Sequence, residues 1–340
     1  MIKIGIIGLG YWGPNLVRNF SSTEGVEIKY LCDLDPKALS GWKKMHGVKL
    51  TGDYREILRD PEVDAVAIAT PVSSHYALAS SALSAGKHVL LEKPMASNVR
   101  ECMELIESAE RKNLVLQVDH TYIYTGAVRK IKELVAAGEI GDILYFDSVR
   151  VNLGLFQHDV NVVWDLAPHD LSIIDYIMDR RCVAVSGSGV ANFGGGLENI
   201  AYATLYYESG AIAHLHVNWL SPVKVRRILI GGTKKMLVFD DLEPSDKLKI
   251  YDKGVDIKNG DKDGVYKALV QYRTGDMWAP KIDGAEALKY ECAHFADCVK
   301  NSKRPATDGA MGLKVVALIE AINSSIASEG QKIYMEGNYI

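Results

Sequence analysis

Gly8-Leu9-Gly10-Tyr11-Trp12-Gly13-Pro14 follows directly on the apolar run Lys3–Ile7, and the reading of this junction decides the fold. The spacing is G-x-G-x-x-G at the point where a strand gives way to a helix. Gly8 permits the tight turn, Gly10 lets the backbone approach a pyrophosphate, and Gly13 lets helix and strand pack closely. Pro14 suits the first helical turn, where a missing N–H costs nothing. The free N–H groups and positive dipole end of such a helix receive phosphates. In this setting the spacing is a dinucleotide-binding fingerprint, and Tyr11 and Trp12 join the three glycines as cofactor-binding candidates. The same fold calls for a ribose-binding carboxylate at the end of the second strand, roughly 20 residues on. Asp33 stands there. Its neighbours Leu34 and Asp35 bring no arginine for a 2′-phosphate, so NAD is expected rather than NADP. Asp35, just before Pro36, reads as a helix cap.

Outward from this junction the chain keeps a βαβ rhythm. The runs Lys3–Ile7, Ile28–Cys32, Ala65–Ala69, His88–Leu91 and Leu114–Val118 are continuously apolar, as parallel strands covered on both faces are. Helical spacing separates them, as in Tyr76–Ala85 and Asn98–Lys112, the latter opened by Asn98 with Glu101 three residues on. The expectation is an α/β protein whose N-terminal domain, residues 1–121, is a doubly wound parallel sheet of the Rossmann type. Beyond Thr121 the pattern changes. After helices at about Ala127–Ala137 and His169–Met178 come closely joined strands: Val183–Val190, Ile200–Tyr207, Ala211–Trp219, Lys224–Ile230 and Lys235–Phe239. Short connections such as Glu208-Ser209-Gly210 imply antiparallel pairing. Residues 122–340 are therefore expected to form an α+β domain with a mainly antiparallel sheet. Polar loops and short strands span Leu242–Asp283, and helices at about Ala285–Lys300 and Gly309–Ser328 close the chain. Along Ile200–Tyr207 and Ala211–Trp219 one face is apolar, while the other carries Tyr202, Thr204, Tyr206, His214, His216 and Asn218. That second face is too polar for a core and aromatic enough to suit a partner subunit.

The bulk composition agrees. The 340 residues are 48% hydrophobic and 24% charged, with a net charge of −4, which supplies no footprint for nucleic acid. No apolar run is expected to span a membrane. The start of the chain reads as a buried strand rather than a secretory signal. The five cysteines are odd in number and never C-x-x-C, which points to reduced thiols, no metal site and a cytoplasmic protein.

Four further stretches carry a family likeness. Ala69-Thr70-Pro71, with His75 soon after, follows the third apolar run, and Glu92-Lys93-Pro94 closes the fourth. Asp165-Leu166-Ala167-Pro168-His169 is a D-x-x-x-H element, and Arg304–Gly309 precedes the last helix. Together they resemble the Gfo/Idh/MocA family of sugar and cyclitol dehydrogenases. The resemblance implies an open-faced antiparallel sheet in the second domain, often used for homo-oligomerisation. It also implies Thr70, Pro71, His75, Glu92 and Lys93 near the cofactor, with Lys93, Asp165 and His169 catalytic. Trp164–Asp170 and Tyr272–Asp276 look closest to members acting on nucleotide-linked sugars, some at C3 of a UDP-N-acetylhexosamine or its uronic acid. The chain departs from the commoner pattern at Asn161–Trp164, where a glycine-rich turn is usual, and at Thr121-Tyr122, where Asn or Arg is usual. Both departures fall where substrate is expected.

Hydride transfer from a secondary alcohol needs a base for the hydroxyl proton and stabilisation of the developing oxyanion. A lysine at the carboxyl end of a parallel strand sits where doubly wound sheets bind ligands, and its cation favours the ionised alcohol. An imidazole titrates close to working pH and suits proton transfer. Asp165, one turn before His169, would orient and stabilise that ring. His120 is expected to shape the pockets, and Tyr122, Arg150, Asn152 and Asn161 are candidates for contacts to a sugar or nucleotide sugar. A free inositol or hexose dehydrogenase, and an NAD-dependent glycosidase acting by transient oxidation, are the competing readings.

Overall fold

The computed structural model describes residues 1–154, 159–178, 180–193, 196–258 and 269–335, without side chains at 255–258 and 269–272. They divide into two compact units. One comprises Met1–Thr125 and Ala285–Glu320; the other comprises Gly126–Gly284 and the described chain from Ala321 onward.

In the first unit the order is β1 (Ile2–Ile7), α1 (Gly13–Ser21), β2 (Val26–Cys32), α2 (Pro36–Ser40), β3 (Lys49–Thr51), α3 (Tyr54–Arg59), β4 (Ala65–Ile68), α4 (His75–Ser84), β5 (His88–Glu92), α5 (Val99–Arg111) and β6 (Leu116–Asp119). The sheet order is β3-β2-β1-β4-β5-β6, with every pairing parallel. The strand order thus reverses beside β1, and that switch point is where such sheets bind ligands. All five apolar runs became strands. The sixth, β3, is only Lys-Leu-Thr at the sheet edge, too short and polar to show a pattern.

The C-terminal boundary of the first unit differs from the contiguous division at residue 121. Helix α8 (Ala287–Asn301) carries Leu288, Cys292 and Phe295 on one stripe, and these join Ile4, Ile6, Leu16 and Phe20 in a single buried cluster. The rings of Phe20 and Phe295 meet edge to face, 6.2 Å between centroids. Arg18 grips Glu286 with two hydrogen bonds of 2.7 and 2.6 Å. The stripe has the i, i+4, i+7 spacing of an amphipathic helix, and α1 and β1 supply the surface that buries it. The Arg304–Gly309 turn also belongs here, because the Val118 amide donates to the Thr307 carbonyl and so covers the free edge of β6. Helix α9 (Gly309–Ala327) then spans the division between the units. It corrects one expectation, being long and apolar enough to cross a membrane. However, 61% of its most apolar window is buried inside the protein, which makes it a core helix.

The second unit begins with α6 (Gly126–Ala136), β7 (Ile143–Leu153) and α7 (Val162–Ile177). The strands β8 (Cys182–Val190), β9 (Ile200–Tyr207), β10 (Ile212–Asn218), β11 (Leu220–Gly232) and β12 (Met236–Asp240) follow. Short strands β13 (Leu248–Tyr251), β14 (Gly254–Lys258), β15 (Leu269–Arg273) and β16 (Met277–Trp278) occupy the polar stretch, and β17 (Ile333–Tyr334) comes last. Nine of them form one sheet, β16-β13-β12-β11-β7-β10-β9-β8-β17. Only β7 and β10 pair in parallel; its other pairings are antiparallel. On β9 and β10 the apolar face is fully buried, whereas Tyr202 and Ile212 on the other face are 43% and 45% exposed. The Tyr202 ring stacks with His216 (4.4 Å) and His214 (6.2 Å). All five cysteines are buried free thiols.

Helix α7 starts well before the expected His169. Asn161 is its cap, accepting from the amides of Val163 (3.1 Å) and Trp164 (3.2 Å). Pro168 lies inside the helix. Its missing N–H and ring are disfavoured there, so the cap and the buried apolar residues of α7 outweigh it.

Candidate active site

The glycine-rich turn has the geometry its spacing implied. Gly8 adopts φ +93°, and a Cβ on it would lie 2.5 Å from the Ala69 carbonyl oxygen; one on Gly13 would lie 2.1 Å from the Gly8 oxygen. Neither position admits a side chain. At Gly10 the corresponding space is open, with nothing within 4 Å, which leaves room for a phosphate against the backbone. Asp33 supports the turn as well as facing it. Its Oδ2 accepts from the Leu9 amide at 2.6 Å and its Oδ1 from the Asp35 amide at 2.8 Å. A carboxylate has about four acceptor sites, so capacity remains for ribose hydroxyls. These residues fit NAD. Tyr11 is 91% exposed beside the turn. The Trp12 side chain turns inward, and its Nε1 donates to Asp119 Oδ2 at 2.8 Å. Asp35 caps α2 as expected, accepting from the Lys37 amide.

Two loops at the carboxyl ends of β4 and β5 are held by one ring. The buried His75 places Nε2 2.8 Å from the Thr70 carbonyl and Nδ1 2.8 Å from the Pro94 carbonyl. Burial pushes this imidazole down, against the pull of the two carbonyls. His75 thereby ties the Thr70-Pro71 loop to the loop bearing Lys93, and the Ser74 hydroxyl adds bonds to Thr70 Oγ1 and the Pro71 carbonyl. Lys93 is partly buried, and its amide donates to its neighbour Glu92 Oε2 at 2.9 Å. Burial first, and then the charge of Asp119, holds the Glu92 carboxyl well above the usual range.

In the second unit, Asp165 and His169 sit one helical turn apart on α7, both partly exposed, so they share a face. Asp165 Oδ2 accepts from the indole of Trp219 at 2.9 Å, which fixes the carboxylate. Two of the substrate candidates have other work. Arg150 is 4% exposed and forks onto Asp170, 2% exposed, through Nε (2.7 Å) and Nη2 (3.0 Å). Ser148 Oγ donates to the same carboxylate. Arg150 is thus a buried structural pair where a sugar contact was expected. Asn161 is saturated. Its oxygen takes the two cap amides, and its Nδ2 donates to Glu198 (2.8 Å) and Asn323 (2.5 Å). Asn152 on β7 and Tyr122, in the short Thr121–Tyr124 turn, remain partly exposed. Of the Tyr272–Asp276 segment, the side chain of Tyr272 lies outside the described residues.

Sequence reasoning passed over Asp119, Asp170 and Glu291. Asp119 had a signal, its place at the carboxyl end of a parallel strand. The partners of Asp170, and the carboxyl groups that lie near Glu291, come from distant elements and leave no local pattern.

Residues 2–120 match the oxidoreductase family Gfo/Idh/MocA, NAD-binding Rossmann fold, and residues 128–238 match that family's C-terminal domain. The chain is 25% identical to scyllo-inositol 2-dehydrogenase (NAD(+)) of Bacillus subtilis, over 95% of this chain and 94% of that protein. Its fold is that of UDP-N-acetylglucosamine 3-dehydrogenase GnnA from Acidithiobacillus ferrooxidans, with TM-score 0.79, 24% identity, and 96% and 98% of the two chains covered. It is equally that of GenD2 from gentamicin A biosynthesis, solved with NAD, with TM-score 0.82, 20% identity, and 99% and 97% covered. With a dinucleotide cradle built as its glycines require and both family domains matched in order, the chain belongs to the Gfo/Idh/MocA family of NAD-binding oxidoreductases.

Proposed function

We propose that this dehydrogenase oxidises a secondary hydroxyl of a sugar, C3 of a nucleotide-linked sugar such as UDP-N-acetylglucosamine or its uronic acid. The observation that carries the reading is Lys93 held at the end of β5 by the His75 clamp, together with Asp165 and His169 on one face of α7. Bound NAD supplies the hydride acceptor. The protein's own groups handle the proton and the charge. His169 takes the hydroxyl proton, Asp165 stabilises the imidazolium that results, and the Lys93 ammonium stabilises the developing alkoxide. Tyr122 and Asn152 are the remaining candidates for substrate contacts. The likeness to a UDP-N-acetylglucosamine 3-dehydrogenase supports the nucleotide-linked choice. A free cyclitol is the second reading, favoured by the scyllo-inositol dehydrogenase relative. Incubation with NAD and a panel of UDP-sugars, inositols and hexoses, read as NADH absorbance, tests both. Turnover confined to UDP-sugars supports the first, and turnover confined to inositols replaces it with the second. In either case Lys93→Ala and His169→Ala are expected to lose at least about 100-fold in rate.

We also propose that the Tyr202/His214/His216 face is a subunit interface.

A further inference from the structure

Three carboxyl groups from three elements of the first unit meet where β5 and β6 end. Glu92 and Asp119 are register partners across the parallel pair, and Glu291 reaches them from α8, which packs on the Thr121–Tyr124 turn. Asp119 is 2% exposed and already receives two donors, Trp12 Nε1 on Oδ2 and the Thr121 hydroxyl on Oδ1. Glu291 is fully buried, its oxygens make no hydrogen bond of ordinary geometry among the described residues, and the Thr121 hydroxyl beside it is already given to Asp119. The other titratable groups around the cluster are Lys93, His120, Tyr124 and Cys292. His120 is equally buried with both ring nitrogens unpartnered, and burial pushes it down to about 4. It is therefore neutral at neutral pH, which leaves Lys93 as the one cation in this set. Three ionised carboxylates this close together, two of them buried, with one cation nearby are untenable. Two facing carboxylates also have no hydrogen between them, whereas one added proton converts the contact into a charge-assisted O–H···O⁻ bond. Burial, followed by the charge of Asp119, holds Glu291 well above the usual range as it does Glu92.

We infer that Glu291 is a neutral positioning residue, whose carboxylic proton is donated to Asp119 and whose grip on Asp119 fixes the Trp12 indole and with it the glycine-rich turn that binds NAD. The inference rests on dinucleotide binding by the first unit and is independent of the substrate. Removing the Glu291 proton sets a second charge beside Asp119 and loosens that turn. The sign follows from linkage. With a folded-state pKa above the unfolded one, the favourable contribution is complete below the ordinary carboxylate range and is lost as pH rises toward the folded value. Glu291→Gln stays neutral and can still donate, so it lacks this loss.

Infrared spectroscopy, denaturant unfolding and NAD calorimetry on the full chain test this without substrate. Wild type is expected to show a protonated-carboxyl carbonyl band, shifted by D₂O, that weakens in Glu291→Gln. Across the titration window above about pH 4.3, the folding constant of wild type should fall relative to Glu291→Gln by about tenfold per pH unit. Glu291→Gln should bind NAD close to wild type, and Glu291→Leu about tenfold or more weaker with an altered Trp12 fluorescence. An unchanged carboxyl band in Glu291→Gln, or wild-type NAD affinity in Glu291→Leu, overturns the role given to Glu291. If Glu291→Leu does not fold, the band and the pH slope of Glu291→Gln decide. Absence of NAD binding by wild type would sink the cofactor reading itself, a different failure.

Discussion

Arg150 is a cation of the type that grips diphosphates, on a strand of the second unit, and from sequence it invites assignment to substrate. Its geometry assigns it elsewhere. A guanidinium 4% exposed, forked onto a carboxylate 2% exposed, has exchanged hydration for a buried ion pair, and removing either half strands the other in the core. Arg150→Ala is therefore expected to destabilise the fold by about 3–5 kcal/mol in denaturant unfolding. Its folded fraction should keep KM for the preferred sugar within a few-fold. A variant of unchanged stability with a sharply raised KM would return Arg150 to the substrate list. Asn161 follows the same logic. Both were chosen by position and residue type, and neither reveals whether a polar group is already satisfied. Gly8, Gly13 and Asp35 were legible because their roles depend on backbone neighbours a few residues away. The clamp made by His75 was half legible, since Thr70 lies close in sequence but Pro94 reaches the ring only through the pairing of β4 with β5.

Among the elements, the strands of the first unit were the most readable, because burial on both faces leaves an uninterrupted apolar run. The two faces of β9 and β10 were readable for the complementary reason, one buried face marking every second residue. Helix α7 begins before the expected His169; its cap, Asn161, carries no apolar periodicity around it, whereas in the fold it makes four hydrogen bonds. Helix α8 was found in place but given to the wrong unit, since an amphipathic stripe announces that it will be buried and not against what. Its destination makes a prediction. Phe295→Ala opens a cavity against Phe20 and the β1 core, and should cost about 3–5 kcal/mol. The loss should be partly recovered by saturating NAD, which binds the native state of the same unit. Calorimetric melting with and without NAD measures both. A destabilised variant indifferent to NAD would disconnect α8 from the dinucleotide unit.

At the scale of the whole molecule, the sheet of the second unit presents an aromatic and imidazole ladder to its surroundings, with Tyr202 at 43% exposure stacked on two histidines. Charges introduced there would have to be desolvated in a subunit contact, so Tyr202→Glu with His216→Glu should lower the mass measured by light scattering while NAD binding persists. An unchanged mass would remove this face from the assembly. The chain's other large-scale property is the split make-up of its first unit, in which Leu288, Cys292 and Phe295 fill the hydrophobic centre begun by Ile4 and Phe20. A ribosome translating this message releases the cofactor fingerprint before residues 126–284 and the helix that seals it only after them. Maturation of the nucleotide pocket is thereby deferred until after the second unit has emerged. For protein engineers the corollary is practical: a transplantable cofactor module here consists of two stretches of gene, and a graft ending at residue 125 would carry an open hydrophobic wound.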